Sequence, residues 1–322
     1  MSVQSFCAGA IVVLSALVTA PASASIPPFY PFRVQVYVAN SGSDNVTVYD
    51  TRLREVVATV PVGDQPVGVG AHPGGDRVYV TNDLSSTVSV IDARAHVVVA
   101  TVPVGAHPFG VAATPTHAYV TNFGSNTVSV IDVAANAVVS TVPVGRFPHS
   151  AVAGPDGSRV YVTNNGAGSV TVIDTAGHRP VQTIPVGRYP AGIAISADGS
   201  RLYVANTGSD TVTVIDTRRN LPIATTPVGR APLGVSVTPS GRVHVANTGS
   251  DTVTVLGPSG EPVAGPLPVQ RMPEGSAAAP DDSFVFVTNT GSDTLSVIDA
   301  DDASQGAPVP VGAQPEGVAV TS

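Results

Sequence analysis

Seven near-copies of one tetrapeptide, evenly spaced along the chain, leave few folds open to this sequence. The first copy is Tyr37-Val38-Ala39-Asn40, and its closing asparagine recurs at positions 82, 122, 164, 206, 247 and 289. The intervals between these asparagines are 42, 40, 42, 42, 41 and 42 residues. Such a period is typical of proteins in which one supersecondary unit is repeated around a ring or along a solenoid.

A second motif, Pro-Val-Gly-x-x-Pro, recurs in phase with the first. Its intervals equal those of the asparagines, so the two motifs define one unit that is present seven times. The sixth copy departs from the pattern, because Gln270 replaces the glycine. The copies begin at Pro61, Pro103, Pro143, Pro185, Pro227, Pro268 and Pro310.

Polar and apolar residues alternate within each unit, as in the run from Thr211 to Asp216. A period of two predicts β-strands. In the fifth unit we predict four strands, which we name A to D, at residues 192–196, 201–205, 211–215 and 221–228. Four strands in about 40 residues are typical of a β-propeller blade. The 32 glycines and 29 prolines argue against a helical fold, since both residues break helix interiors.

The two ends of the repeat region complement each other. The chain enters the pattern near a strand B at Val34, and residues 317–321 form a strand A without partners of its own. Joining these ends completes a seventh four-stranded blade and removes an exposed sheet edge. We therefore predict an all-β protein, a seven-bladed β-propeller of antiparallel blades over residues 33–322, with its ring closed by the C-terminal strand.

Three copies of the tetrapeptide read Tyr-Val-Thr-Asn, and they end at Asn82, Asn122 and Asn164. With this motif the chain resembles the YVTN-repeat β-propeller family over nearly all of residues 33–322. The resemblance implies an exported protein of the surface-layer or cell-envelope type. Similar seven-bladed rings also carry lactone-opening lyases and hydrolases, so the resemblance leaves the activity open.

The amino end predicts export. Residues 6–20 form an apolar run that small residues at 22–24 follow, as in a signal peptide and its cleavage site. We predict a signal peptide at residues 1–24, a short tail at 25–32, and a secreted or cell-surface protein. No other stretch is long enough for an integral membrane span. The single cysteine, Cys7, lies in the leader, so the mature chain has no thiol for a disulfide or an attached haem, and no cofactor is predicted.

The charge of the chain bounds its partners. All 15 basic residues are arginine, and the net charge is −8. A general nucleic-acid binder needs a surplus of positive charge, so we predict no nucleic-acid partner. We expect a monomer that binds a protein, a cell-envelope component or a small anionic ligand.

Four arginines occupy one repeat position in the loops between strand D and the next strand A. On one face of the ring they would form an arc able to bind a carboxylate or phosphate through charge-assisted hydrogen bonds. The alternative is that they are solvated loop residues paired with acids. The candidate ligand-binding residues are Arg146, Arg188, Arg230 and Arg271, with Phe147 and Tyr189 beside them.

A second candidate site lies where strand A begins, because strand A lines the channel of a propeller. His149, Glu274 and Glu316 occupy this position in three different blades, and His107 lies in a nearby loop. Histidine and glutamate together suit proton transfer beside an ester, with a divalent cation if the protein is an enzyme. These four residues are the catalytic candidates of a lyase or hydrolase acting on a lactone, the alternative to a binding or scaffold protein.

Other repeated polar residues point to structure and not to chemistry. The seven tetrapeptide asparagines are predicted to bond the turn that follows, and the acids after strand C are predicted to form Asx turns. The Gly-Ser-Asp runs supply one acid each, too few for calcium, so no metal is predicted there. Dense prolines after Gly257, and the departures at Asp301-Asp302 and Gln305-Gly306, predict irregular outer edges in blades six and seven.

Overall fold

Alternating apolar side chains make every repeat an antiparallel meander in the computed structural model, which describes residues 34–321. Within that range the chain forms 28 strands and a single 3-10 turn at Asn165–Ala167. None of its described helical turns has the length or apolar character needed to cross a membrane. The predicted signal peptide (residues 1–24) and tail (25–32) lie outside the described residues.

The strands are numbered in chain order and grouped here by blade. The first three are β1 (Gln35–Asn40), β2 (Asn45–Asp50) and β3 (Glu55–Pro61). Blade 2 has β4 (Pro66–Ala71), β5 (Arg77–Asn82), β6 (Thr87–Asp92) and β7 (Val97–Pro103). Blade 3 has β8 (Pro108–Ala113), β9 (His117–Asn122), β10 (Thr127–Asp132) and β11 (Ala137–Pro143). Blade 4 has β12 (Pro148–Ala153), β13 (Arg159–Asn164), β14 (Ser169–Asp174) and β15 (Arg179–Pro185).

The remaining strands continue the same pattern. Blade 5 has β16 (Pro190–Ile195), β17 (Arg201–Asn206), β18 (Thr211–Asp216) and β19 (Leu221–Pro227). Blade 6 has β20 (Pro232–Val237), β21 (Val243–Asn247), β22 (Thr252–Leu256) and β23 (Pro262–Pro268). Blade 7 has β24 (Pro273–Ala278), β25 (Phe284–Asn289), β26 (Thr294–Asp299) and β27 (Val309–Pro310). The last strand, β28 (Pro315–Thr321), pairs with β1 and completes blade 1.

The ring closes through its two ends, as predicted. Strands β28 and β1 are antiparallel, with Val36 opposite Val320 and Val38 opposite Val318. The seven sheets of four strands confirm the predicted propeller. In blade 5 the predicted strands hold to within two residues. Strand A begins earlier than predicted because Pro190 already pairs with Asn206.

The apolar core lies between adjacent blades and not within a single sheet. Tyr37 and Val46 of blade 1 pack with Val78 and Ile91 of blade 2, and all four side chains are buried. Each sheet therefore buries both faces, one against each neighbour. This arrangement explains why the inner strands are rich in valine and isoleucine.

In several repeats the tyrosine or the threonine of the tetrapeptide connects its blade to the next. The hydroxyl of Tyr203 donates to the carbonyl oxygen of Pro258 in blade 6, at 2.7 Å. The hydroxyl of Thr163 donates to the carbonyl oxygen of Ala191 in blade 5, also at 2.7 Å. Because both bonds cross a blade boundary, the motif fixes the packing of neighbouring sheets.

The asparagine of the tetrapeptide has a structural role, although the predicted partner was wrong. The Nδ2 of Asn82 donates to the hydroxyls of Thr87 and Ser89 on β6, both at 3.0 Å. The asparagine thus bonds strand C and not the turn, because its buried side chain points along the sheet toward two hydroxyls five and seven residues ahead. The predicted Asx turns are confirmed, since the carboxylate of Asp92 accepts from the amides of Arg94 and Ala95.

The outer edges of blades 6 and 7 are irregular, as predicted. Strand β23 carries two register shifts against β22, and β27 contains only two residues. Prolines cannot donate to a neighbouring strand, so they interrupt the hydrogen-bond ladder at these edges.

Candidate functional site

Strand A of every blade lines a central channel, and glycines keep the channel narrow. A Cβ atom added at Gly192 would lie 2.1 Å from the carbonyl oxygen of Leu233 on the neighbouring blade. Glycine occupies the corresponding position in all blades except blade 4, where Ser150 stands. The strands therefore approach each other more closely than residues with a Cβ would allow.

One cavity of about 220 Å³ lies in this channel. All seven blades contribute to its wall, mostly with small or aliphatic residues. Its polar side chains include His149, Glu274 and Glu316, three of the four catalytic candidates, and Phe109 lies beside His149. The fourth candidate, His107, does not line the cavity.

Glu274 and Glu316 stand on adjacent blades, at the starts of β24 and β28. Burial, and then the carboxylate of Glu316, raise the pKa of Glu274 to about 7. Burial also raises the pKa of Glu316, against the effect of a hydrogen bond from Ser41. Neither carboxyl forms an ion pair within residues 34–321. The structure therefore brings two carboxyls without a cationic partner to one wall of the channel.

His149 stands on blade 4, across the ring from the two glutamates. Burial lowers the pKa of its imidazole to about 4, so the ring is neutral at physiological pH. Its centroid lies 4.1 Å from that of Phe109, and its Nδ1 lies 3.1 Å from the hydroxyl of Ser150. Ser150 replaces the glycine found in the other blades, and it directly follows His149. Blade 4 therefore departs from the repeat at two adjacent residues of this wall.

The loops between strands D and A form one face of the ring, which we call the rim. His107 lies on the rim and pairs with an acid that sequence reasoning missed. Its Nδ1 is 3.2 Å from Oδ1 of Asp83, and the His107 side chain is 56% exposed. The negative charge of Asp83 also contributes to the raised pKa of Glu316. Among residues that follow the tetrapeptide asparagine, only Asp83 is acidic, and this departure from the repeat could have identified it.

Each loop between strand D and strand A presents one side chain outward from a left-handed backbone. Phe147 has a φ of 53° and Tyr189 a φ of 50°, and both rings are exposed. Asn126, in the turn between strands B and C, accepts a hydrogen bond from the amide of Phe147 at 2.8 Å. The same position in other loops holds Gln65, His107, Ala231, Met272 and Gln314.

The Gly-Ser-Asp runs take part in this arrangement. The carboxylate of Asp210 accepts from the amide of Ala231, and that of Asp251 accepts from the amide of Met272, both at 2.8 Å. These acids hold the rim loops in place. In the described part of the chain, no three His, Cys, Asp or Glu side chains stand close enough to hold a metal ion.

The arginine arc lies on the same rim and is only partly anchored. The Nη2 of Arg146 donates to the carbonyl oxygen of Gly166 at 2.9 Å. The guanidinium groups of Arg188, Arg230 and Arg271 make no hydrogen bond or ion pair with any residue that the structure describes. All four side chains are exposed. Three cationic groups therefore stand free at one repeat position of successive loops.

A family model described as a YNCE-like β-propeller matches residues 103–201, which hold blades 3 and 4. A search of curated proteins finds no match to the chain. The match and the seven-bladed ring both fit a propeller family of the YVTN type.

Several solved structures share the fold at low sequence identity. Hydrazine synthase from Kuenenia stuttgartiensis is 22% identical with a TM-score of 0.66, over 78% of this chain and 88% of that chain. A functionally unknown protein from Desulfotomaculum acetoxidans is 18% identical with a TM-score of 0.77, over 89% and 98%. A candidate 6-phosphogluconolactonase from Bacteroides uniformis is 16% identical with a TM-score of 0.77, over 90% and 99%. These likenesses concern the fold alone.

Proposed function

We propose that this chain, whose seven-bladed ring and family-model match fit the YVTN type of β-propeller, is an exported binding protein whose rim takes the anionic groups of a protein or small-molecule partner. The three free guanidinium groups of Arg188, Arg230 and Arg271 carry this proposal. A guanidinium fork matches the geometry of a carboxylate or phosphate and donates two parallel hydrogen bonds to it. The chain has a net charge of −8, so the exposed arc of arginines is a positively charged patch on an otherwise acidic protein.

The residues beside the arginines support a binding surface. Phe147, Tyr189 and Met272 are 44%, 58% and 45% exposed, although each has a large apolar side chain. Aromatic residues, methionine and arginine are the types enriched at protein interfaces. The loops hold these side chains outward on a rigid ring, so little conformational entropy is lost when a partner binds.

The rim is tested by a thermal-shift panel with citrate, phosphate and a hexaglutamate peptide. A ligand that binds only the folded state raises the melting temperature. We expect a rise for wild-type protein and its loss in the variant Arg188→Ala, Arg230→Ala, Arg271→Ala. A shift with citrate or phosphate indicates a small-molecule partner, and a shift with the peptide alone indicates a protein partner.

The matched control changes Arg94, Arg218 and Arg219 to alanine, which removes the same charge from turns on the opposite face of the ring. These turns join strands C and D, whereas the arc lies between strands D and A. The control variant is expected to respond like wild type. Equal losses in both variants would mean that net charge, and not the rim, accounts for binding.

A lactone-opening lyase or hydrolase in the channel is the second candidate function. The pKa of about 7 for Glu274 favours it, because a group that titrates near neutral pH can both accept and return a proton. In a hydrolysis, Glu274 takes a proton from the attacking water and returns it to the departing ring oxygen. Hydrolysis of δ-gluconolactone followed by pH-stat tests this candidate, and Glu274→Gln should abolish any activity while the exposed Glu55→Gln retains it.

Export is the remaining part of the proposal, and the apolar leader followed by small residues supports it. Amino-terminal sequencing of protein secreted from an expressing bacterium tests it. We expect the mature chain to begin at Ser25. Protein that stays inside the cell with its leader intact would contradict export.

A further inference from the structure

The channel has the opposite electrostatic character to the rim. Glu274 and Glu316 place two carboxyls on one wall of the cavity, and the negative charge of Asp83 acts on Glu316. Among the described residues no arginine lines the cavity, and the sequence contains no lysine. Within residues 34–321, both glutamates lack a cationic partner. The cavity therefore holds two acidic groups that have no cation to balance their charge when they ionise.

Two partly buried carboxyls without a cationic partner in one cavity are unfavourable. Burying an ionised carboxylate without a partner is costly, and a second carboxylate nearby adds repulsion. Burial raises the pKa of both groups, and the carboxylate of Glu316 raises the pKa of Glu274 further. A cation placed between them would remove both penalties, so the free cavity has a preference for positive charge.

The opposite wall selects among cations. Phe109 and His149 both line it, and their ring centroids are 4.1 Å apart. The His149 imidazole is neutral and does not repel a cation. Aromatic faces attract organic cations through the ring quadrupole, and carboxylates accept charge-assisted hydrogen bonds from ammonium groups.

An inorganic divalent ion fits this wall poorly. Calcium takes six to eight oxygen ligands, whereas the cavity offers two carboxyls on one side and rings on the other. The described residues contain no group of three ligands suited to a metal. Aliphatic residues such as Val67 and Leu233 complete the wall, which suits the carbon atoms of an organic ligand.

We propose that the channel cavity binds a small organic ammonium ion, which Glu274 and Glu316 hold by charge on one side and Phe109 contacts on the other. This site is separate from the arginine rim and takes the opposite charge. The occupant is a primary or quaternary amine small enough for a cavity of about 220 Å³. The proposal holds or fails independently of anion binding at the rim.

Titration calorimetry at pH 8 with choline, ethanolamine and 3,3-dimethylbutan-1-ol tests the proposal. The last compound has the shape of choline without its charge. We expect choline or ethanolamine to bind and the neutral alcohol not to bind. The double variant Glu274→Gln, Glu316→Gln should weaken binding about ten-fold or more, since hydrogen bonds to charged groups contribute about that much. Phe109→Leu should weaken choline more than ethanolamine.

Glu55→Gln makes the same change at an exposed residue of β3, far from the cavity lining, so it serves as the matched control and should bind the ammonium ions as wild type does. Circular dichroism and the melting temperature verify that each variant is folded. The proposal is overturned if neither ammonium ion binds, if the neutral alcohol binds equally well, or if the double glutamine variant retains wild-type affinity. Binding of calcium or magnesium in place of the ammonium ions would also overturn it.

Discussion

The backbone amide of Gly187 donates a hydrogen bond to Oδ1 of Asn206 at 3.0 Å, so the two motifs that repeat along the chain touch each other in space. Gly187 belongs to the Pro-Val-Gly motif that ends blade 4, and Asn206 closes the tetrapeptide of blade 5. A Cβ atom at Gly187 would lie 2.6 Å from Cγ of the asparagine. The contact explains why the two motifs keep the same spacing.

Gly187→Ala is therefore expected to destabilise the fold. The added methyl group must displace a buried asparagine that bonds Thr211 and Thr213, and overpacking of this kind costs about 1 to 3 kcal/mol. Urea unfolding measures the change. Gln270→Ala is the matched control, because position 270 already carries a side chain, and it should alter the free energy of unfolding much less. Equal effects of the two substitutions would contradict the steric explanation.

Deletion of residues 316–322 is expected to open the ring. It removes most of β28, leaves β1 with an unpaired edge and breaks the bond from the Thr288 hydroxyl to the Glu316 carbonyl oxygen. An exposed strand edge promotes association between chains. Thermal unfolding and light scattering should show a lower midpoint and aggregation. A truncated chain that remains monomeric with an unchanged midpoint would show that closure contributes nothing.

The stability of the protein should depend on pH through Glu274. Folding raises the pKa of this carboxyl from 4.5 to about 7, so its protonated form favours the folded state. This contribution is complete below about pH 4.5 and is lost as the pH rises through about 7. Glutamine stays neutral at every pH, so Glu274→Gln avoids the cost of ionising this carboxyl. It should stabilise the protein at pH 8 by up to about 3 kcal/mol, with little effect at pH 4.

Urea unfolding of both proteins at the two pH values measures this difference. Glu55→Gln, which changes an exposed residue on β3, should leave stability nearly unchanged at both. If Glu274→Gln has the same effect at pH 4 and pH 8, the carboxyl does not titrate as the structure indicates.

The sequence predicted the fold well because a repeated pattern carries its information many times. The alternation of apolar residues locates the strands, and the unpaired strand A at residues 317–321 indicates how the ring closes. The arginine arc was also predictable, since Arg188, Arg230 and Arg271 share one repeat position. The sequence could not predict that these arginines lack acidic partners, because ion pairing depends on side-chain directions across blade boundaries.

The channel site was harder to predict because its residues meet only when the ring closes. Glu274 and Glu316 are 42 residues apart in the chain, yet burial in one cavity raises the pKa of both, and Glu316 raises that of Glu274 further. Asp83 and Phe123 share a repeat position that no sequence motif marks as functional. His107 lies just before Phe109 in the chain, yet its exposed side chain turns outward from a left-handed backbone and does not line the channel.

The affinity of the rim for anions tests the central claim most directly. Calorimetric titration of citrate and of a hexaglutamate peptide should give a dissociation constant for at least one of them that rises about ten-fold or more in the variant Arg188→Ala, Arg230→Ala, Arg271→Ala. The control variant with Arg94, Arg218 and Arg219 changed should stay within about two-fold of wild type, since distant exposed charges are largely screened by salt. Absence of binding by wild type, or equal weakening in both variants, would contradict a binding surface at the arginine rim.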